Sequence, residues 1–385
     1  MILATRDLDI SDEPARRLLD EVCDAVRDSA GDLGELVEGA VRRIAPLATA
    51  TERTTLRDAA IAQMAGLGEL DAFLTDPDVD EVLVNGDAVW IDRNGRVEPA
   101  GRLTGTNVEQ VIERILAPIG RRVDRTTPIV DARLADGSRV CAVVAPVAMG
   151  GAALSIRRFA SEVRPLSDFT DAAGEHLLHE IVAARCNVIV SGSTSSGKTS
   201  LLASMIDCID QADRLIVLED TAELPCRAAH QVRLEARAAT SEGLSAVTLG
   251  DLVRTALRLR PDRLVVGEVR SDECLALVQA MNTGHDGSFS TCHANGPLDA
   301  LLRLESLVLQ AAPQWPLDAV RQQLARSIDV VVHVDRVDGR RRISSISEVV
   351  PPDPHASSTV PRMRTLGESE PNGFVVHSSL RRTRR

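Results

Sequence analysis

Lysine is almost missing from this chain: of 44 lysines and arginines taken together, one is a lysine, Lys198. A GC-rich coding bias is the bland reason for such an excess of arginine. It leaves lysine only where arginine cannot serve, because a guanidinium is a broad planar fork and an ammonium a compact charge on a slim stem. Lys198 is therefore expected in a tight site that recognises a point charge. Aromatic residues are scarce too, with five Phe, two Trp and no Tyr, and the net charge is −12. A protein that tracks single-stranded nucleic acid wants stacking platforms and a positive groove, so the composition argues against a nucleic-acid partner. Seven cysteines are scattered without any C-x-x-C spacing, which argues against zinc and disulfide scaffolds and for a reducing compartment. Long apolar runs are lacking as well. The uncharged stretch Val140 to Ile156 is broken by Pro146 and by Gly150-Gly151, and a membrane-spanning helix needs about 20 apolar residues. With charges following directly on Met-Ile-Leu-Ala-Thr, no signal peptide is expected. The expected location is cytoplasmic, at a membrane only through partners.

What is present is globular composition, 44% hydrophobic and 26% charged over 385 residues, enough for two or three domains. Residues 1–70 read as a helical segment: Ser11 with Pro14 suits a helix start, and Leu18, Leu19, Val22 and Val26 recur at helical spacing. Residues 71–160 read as a small α+β domain. Short apolar strands flank the turns Asn94-Gly95 and Asp136-Gly137, a helix is expected from about Thr106 to Leu116, and Leu154 to Phe159 leads out. From 161 to 350 strands and helices alternate, which predicts a parallel sheet with crossover helices, closed by a hairpin at Asp338-Gly339. Residues 351–385 carry six Arg against three acids and no apolar periodicity, so a disordered basic tail is expected there.

The chemistry begins after the strand Asn187-Val-Ile-Val-Ser191. There the chain reads Gly192-Ser193-Thr194-Ser195-Ser196-Gly197-Lys198-Thr199, and Ser200 continues into an apolar helix. This is G-x-x-x-x-G-K-[ST] in a strand–loop–helix context. Glycines let backbone N–H groups close around phosphate oxygens, and the helix N-terminus adds a positive dipole end. Lys198 would reach the outer phosphates and Thr199 would ligate Mg²⁺. A second apolar strand ends in Glu219-Asp220-Thr-Ala-Glu223. Three carboxylates at the carboxyl end of a parallel strand face the ligand crevice, and burial raises a carboxyl pKa toward what a water-activating base needs. A third strand, Arg263-Leu-Val-Val-Gly267-Glu268, is Walker-B-like with Gly where Asp is usual. Glu268 would hold Mg²⁺ through a water or position the attacking water. Arg254, Arg258 and Arg260 lie upstream, the first two spaced to share a helix face, with a solvated arginine face as the alternative. His285 and His293, in Thr-Gly-His-Asp-Gly…Thr-Cys-His-Ala-Asn, look like a γ-phosphate sensor, whereas His176 and His179 read as helix surface.

Together these four blocks resemble the secretion and pilus-assembly traffic ATPases. The wording Leu-Arg-Leu-Arg-Pro-Asp-Arg…Val-Gly-Glu-Val-Arg and Ala-Met-Asn-Thr-Gly-His-Asp-Gly is most similar to their CpaF-like, Flp/Tad-pilus branch. The resemblance spans about residues 75–350 and includes Val-Asp-Glu-Val-Leu-Val-Asn-Gly and Leu-Ser-Ile-Arg-Arg-Phe. It implies an α/β chain with a RecA-like P-loop ATPase domain, preceded by a small PAS-like α+β domain and a helical segment. It further implies a hexamer that hydrolyses ATP with Mg²⁺ beside an inner-membrane platform protein. Carried over by motif, Lys198 and Thr199 bind phosphate and Mg²⁺, Glu223 is the general base and Glu268 the Walker-B acid. His285 and His293 form the His box, Arg157 reaches nucleotide, and Arg258 and Arg260 touch nucleotide or a neighbouring subunit. The loop departs from the family at Ser195, where a further glycine is common. Serine is expected there only with a negative φ. A RecA-like motor acting on DNA and a non-hydrolysing nucleotide-bound scaffold stay open as alternatives.

Overall fold

The computed structural model describes residues 13–381 except 27–28, 30–31, 66, 94, 105–106, 135, 159–162, 238–244, 338 and 352–360. Ser11, Asn94, Thr106, Phe159 and Asp338, used above to mark starts and turns, lie outside the described residues. The chain divides into two compact units, Met1–Phe159 and Ala160–Arg385.

In the first unit, α1 (Glu13–Val26), α2 (Leu33–Ile44) and α3 (Ala50–Ala65) bury Val22, Val37, Val41 and Leu56 against one another. Asp32 caps α2 by accepting the Glu35 N–H at 3.0 Å. A short helix, α4 (Asp71–Thr75), leads into the strands β1 (Val79–Asn85), β2 (Ala88–Arg93) and β3 (Arg96–Arg102). Next come α5 (Val108–Leu116), β4 (Ile129–Arg133), β5 (Arg139–Val143) and β6 (Ala153–Arg157). The strands form an antiparallel sheet in the order β3-β2-β1-β6-β5-β4. Alternation puts Val82, Val84, Val140 and Ile156 on its buried face with Val111, Ile112 and Ile115 of α5, the period-2 and period-3.6 patterns meeting in one core.

The second unit opens with α6 (Ala172–Ala183), whose cap Asp171 accepts from Ala173 and Gly174. It continues through β7 (Val188–Gly192), α7 (Lys198–Asp207), β8 (Leu215–Glu219), β9 (Gln231–Glu235), α8 (Leu249–Ala256) and β10 (Arg263–Val266). Then follow α9 (Glu273–Met281), β11 (Phe289–His293), α10 (Pro297–Ala311), α11 (Leu317–Ser327), β12 (Val330–Val337), β13 (Arg340–Val350), β14 (Arg362–Glu370) and β15 (Gly373–Val376). The sheet order is β15-β14-β13-β12-β7-β11-β10-β8-β9. From β12 to β9 neighbours pair in parallel, and β7, β8 and β10 are buried along their whole length, as strands covered by helices on two sides must be. On β7, Val188 and Val190 pack in the core containing α6 and α7, while Ile189 packs toward α8–α11.

The antiparallel part of the sheet is larger than the expected closing hairpin of β12 and β13, because β14 and β15 also pair antiparallel. Nor is the stretch after residue 350 simply a disordered tail, since β14 and β15 extend that sheet and bury Leu366 and Phe374. Six of the nine β14 residues are polar and only Leu366 and Gly367 are buried, so the strand shows no apolar period. Among the described residues no helix is long and apolar enough to cross a membrane.

Candidate nucleotide site

Parallel pairing brings the carboxyl ends of β7, β11, β10 and β8 to one edge, with Gly192 opposite His293 and Leu218 opposite Val266. Ligand crevices of open parallel sheets lie at that edge. The loop from Gly192 to Gly197 crosses it and opens α7. A side chain on Gly192 would put its Cβ 2.3 Å from the Val334 carbonyl and 2.4 Å from Ser196 Oγ, so only glycine fits. Gly197 has φ +100° and starts α7 with no side chain capping it. The first-turn N–H groups of α7 are thereby left for a ligand's oxygens.

Lys198 is 6% exposed, and its ammonium donates to the Ser193 carbonyl at 2.6 Å and to His293 Nδ1 at 3.2 Å. An ammonium can only donate, so Nδ1 accepts and the ring proton sits on Nε2. That nitrogen lies 3.2 Å from Glu268 Oε1. The other Glu268 oxygen accepts from Arg270 at 2.7 Å. Ser193, Lys198, His293, Glu268 and Arg270 thus form one connected polar line. Burial pushes the Glu268 carboxyl up, but the Arg270 hydrogen bond and charge, helped by His293 and Lys198, outweigh it and hold the group below its ordinary value. Gly267 is explained by its neighbour: a Cβ there would lie 3.2 Å from Glu219 Cγ.

Of the three carboxylates at the carboxyl end of β8, Glu219, its last residue, is buried and builds the loop. One oxygen accepts the N–H groups of Glu223 and Leu224, both at 2.7 Å, and the other takes Arg233 at 3.3 Å. Its pKa is raised, burial outweighing those hydrogen bonds. Glu219 therefore positions Glu223, which is half-buried and whose charge, with that of Asp220, is felt by Arg270.

The donor set fits a nucleotide: an ammonium, hydroxyls of Thr199 and Ser200 on the first turn, uncapped helix N–H groups and a buried Ser196 hydroxyl without a hydrogen-bond partner. Thr199 and an ionised Glu268 suit a hard cation such as Mg²⁺. A family model described as type II/IV secretion system protein matches residues 64–363. The chain belongs to that family. This secretion-system protein is 38% identical over 301 residues to a putative conjugal transfer protein of Mycobacterium tuberculosis, covering 74% of this chain and 85% of that one. It is 31% identical over 315 residues to the type IV secretion system protein PtlH of Bordetella pertussis, covering 73% and 93% respectively. Its fold is similar to that of the pilus retraction motor PilT with bound ADP, with a TM-score of 0.53, 20% identity, and 74% of this chain and 83% of that chain covered.

Not every residue singled out in the secretion-system chain converges on this edge. His285 precedes β11, at the end of the strand away from His293, about 13 Å along its length at roughly 3.3 Å per residue. There its Nδ1 is 3.2 Å from the Ala280 carbonyl. The two histidines are not brought together, because one strand separates them. Arg258 and Arg260 likewise precede β10 at its far end from Glu268, and α8 stops at Ala256, so Arg254 and Arg258 do not share a helix face. Arg254 instead pairs with Asp251 at 2.8 Å. Arg157 is exposed on β6 of the first unit. Ser193 and Thr194 are exposed within the loop. Ser195 departs most plainly from expectation: its φ is +59°, left-handed rather than negative.

Residues that sequence reasoning left without a role also border the site. Arg270 closes the polar line. His333, buried on β12, meets Ser191 Oγ at 2.8 Å, and burial holds its imidazole below the usual range despite Asp335 and Asp299. Arg270 stands two residues after Glu268, a spacing with nothing to distinguish it from a solvated arginine.

Proposed function

We infer that this secretion-system protein is an Mg²⁺-dependent ATPase, working as a homohexamer that powers pilus assembly or protein secretion. In this reading the protein works at the inner face of the cytoplasmic membrane, docked on a platform protein, in a CpaF-like, Flp/Tad-type machine. The observation that carries the reading is the line from Lys198 through His293 to Glu268 at the mouth of a P-loop, in a chain of this family. Relatives named for conjugal transfer and type IV secretion support the export role.

The residues divide the work by position. Lys198 and the N-terminus of α7 neutralise phosphate charge that grows as the outer phosphoryl group transfers. His293 holds the ammonium in place and reports on the outer phosphate through its link to Glu268. Thr199 and Glu268 would hold Mg²⁺, which supplies further positive charge against the phosphate oxygens. Glu223, fastened by Glu219, takes the proton of the attacking water. Replacing it by glutamine keeps the shape and removes the base. Glu223→Gln should therefore bind ADP like the unaltered protein while turnover falls on the order of 100-fold, read by phosphate release beside calorimetric titration. Normal turnover would take the base assignment away from Glu223.

The machine class is tested by measuring ATP turnover against protein concentration, then with single-stranded DNA at low salt. A ring motor should show turnover per chain rising as it assembles. A net charge of −12 disfavours the phosphate contacts that make DNA motors salt-sensitive, so no DNA response is expected. A several-fold, salt-sensitive stimulation by DNA, with no dependence on assembly, would replace the export reading by a DNA motor.

A further inference from the structure

The β12–β13 hairpin runs beside the P-loop along its whole length. His333 meets Ser191, the Val334 carbonyl fills the space beside Gly192, and the Arg341 stem lies where a Cβ on Gly197 would be, 2.6 Å from Cδ. Between these contacts, Arg336 bridges the hairpin and the loop. Its Nε donates to the Gly339 carbonyl at 3.2 Å and its Nη1 to the Ser195 carbonyl at 3.2 Å.

Ser195 is the one loop residue whose backbone is unfavourable for its type. A side chain at φ +59° crowds the backbone, and glycine is the residue that adopts this conformation freely. The charged donor on its carbonyl compensates. Because a trans peptide points its C=O and N–H in opposite directions, fixing the Ser195 carbonyl toward Arg336 also fixes the Ser196 N–H on the other side. That N–H is directed at the Ser193 carbonyl, 3.4 Å away, which also receives the Lys198 ammonium. The loop interior is where phosphate oxygens take backbone N–H groups.

We propose that Arg336 is a positioning residue of the nucleotide site: by gripping the Ser195 carbonyl it keeps the Ser195–Ser196 peptide turned with its N–H inward, toward the diphosphate of a bound nucleotide. The proposal rests on the nucleotide reading of the P-loop, not on motor activity. It accounts for a serine standing where glycine is easier, because the hairpin supplies from outside what glycine supplies from within.

The test compares the full-length protein with Arg336→Ala, Arg336→Lys and the double variant Arg336→Ala with Ser195→Gly. Mg-ADP affinity is measured by calorimetry, KM and kcat by phosphate release, and folding by thermal melting. Arg336→Ala should weaken ADP binding and raise KM about tenfold, as for loss of one charge-assisted hydrogen bond, with the melting midpoint little changed. Ser195→Gly in the same chain should restore affinity to within about threefold, since glycine adopts the left-handed backbone without help. Arg336→Lys, still a donor, should fall between. Unchanged ADP affinity in Arg336→Ala, or a loss that Ser195→Gly does not recover, would overturn the proposal. If the unaltered protein binds ADP but does not turn over ATP, the motor reading fails while the ADP affinities still decide the role of Arg336. If it does not bind ADP, both fall.

Discussion

Lys198→Arg is expected to lower the proposed ATP turnover by at least about 100-fold, the loss typical of removing one preorganised charged donor, in a chain that uses arginine for every other lysine-or-arginine position. The ammonium is 6% exposed and sits between the Ser193 carbonyl at 2.6 Å and His293 Nδ1 at 3.2 Å. A guanidinium is planar and wider, so it cannot enter that gap without displacing one of the two. Displacing His293 breaks the link to Glu268; displacing Ser193 opens the loop. Phosphate release by purified protein, with melting to show that the variant folds, reads the effect. Turnover within twofold of the unaltered protein would remove the argument that the solitary lysine marks the phosphate site.

Ending the chain at residue 361 should destabilise the second unit by at least about 5 kcal/mol, the scale of losing large buried side chains together with a buried charge partner. The cut removes Leu366, fully buried, and Phe374, 6% exposed. It also strips Glu348, buried on β13, of its ion pair with Arg364 and of the Arg381 N–H at 3.0 Å. The Phe374 N–H that Asp171 accepts at 2.7 Å, at the cap of α6, is lost with them. At roughly 2–4 °C per kcal/mol for a unit of this size, the melting midpoint should fall by about 10 °C or more. Because β13 carries the far side of the hairpin that borders the P-loop, nucleotide affinity should fall with it. An unchanged midpoint would return residues 362–381 to the status of a dispensable tail.

Much of the site was legible because its residues are neighbours in sequence. A strand, a glycine-bounded loop and a helix start stand in one contiguous run from Asn187 to Ser200, so local geometry alone puts Lys198 and Thr199 on the first turn of the helix that the loop opens. Glu268 and Glu223 were reached in the same way, as acids at the ends of apolar strands. Partnerships were not. Glu219 and Glu223 read as equivalent carboxylates, and only the fold makes the first a buried acceptor that shapes the loop for the second. His285 and His293 read as a pair, and the length of β11 parts them.

By itself, then, the sequence determined that the second unit has a helix-covered run of parallel strands with a P-loop at its carboxyl edge, because apolar runs, glycines and a strand–loop–helix order are local properties. Tertiary structure decided which histidine meets Lys198, which arginine grips Ser195, and that the final segment is part of the sheet. Those contacts join residues 95 and 141 positions apart, through strand register. Register depends on which strands pair, and a strand such as β14, polar along most of its length, leaves too little apolar alternation for its pairing with β13 and β15 to be read from the chain.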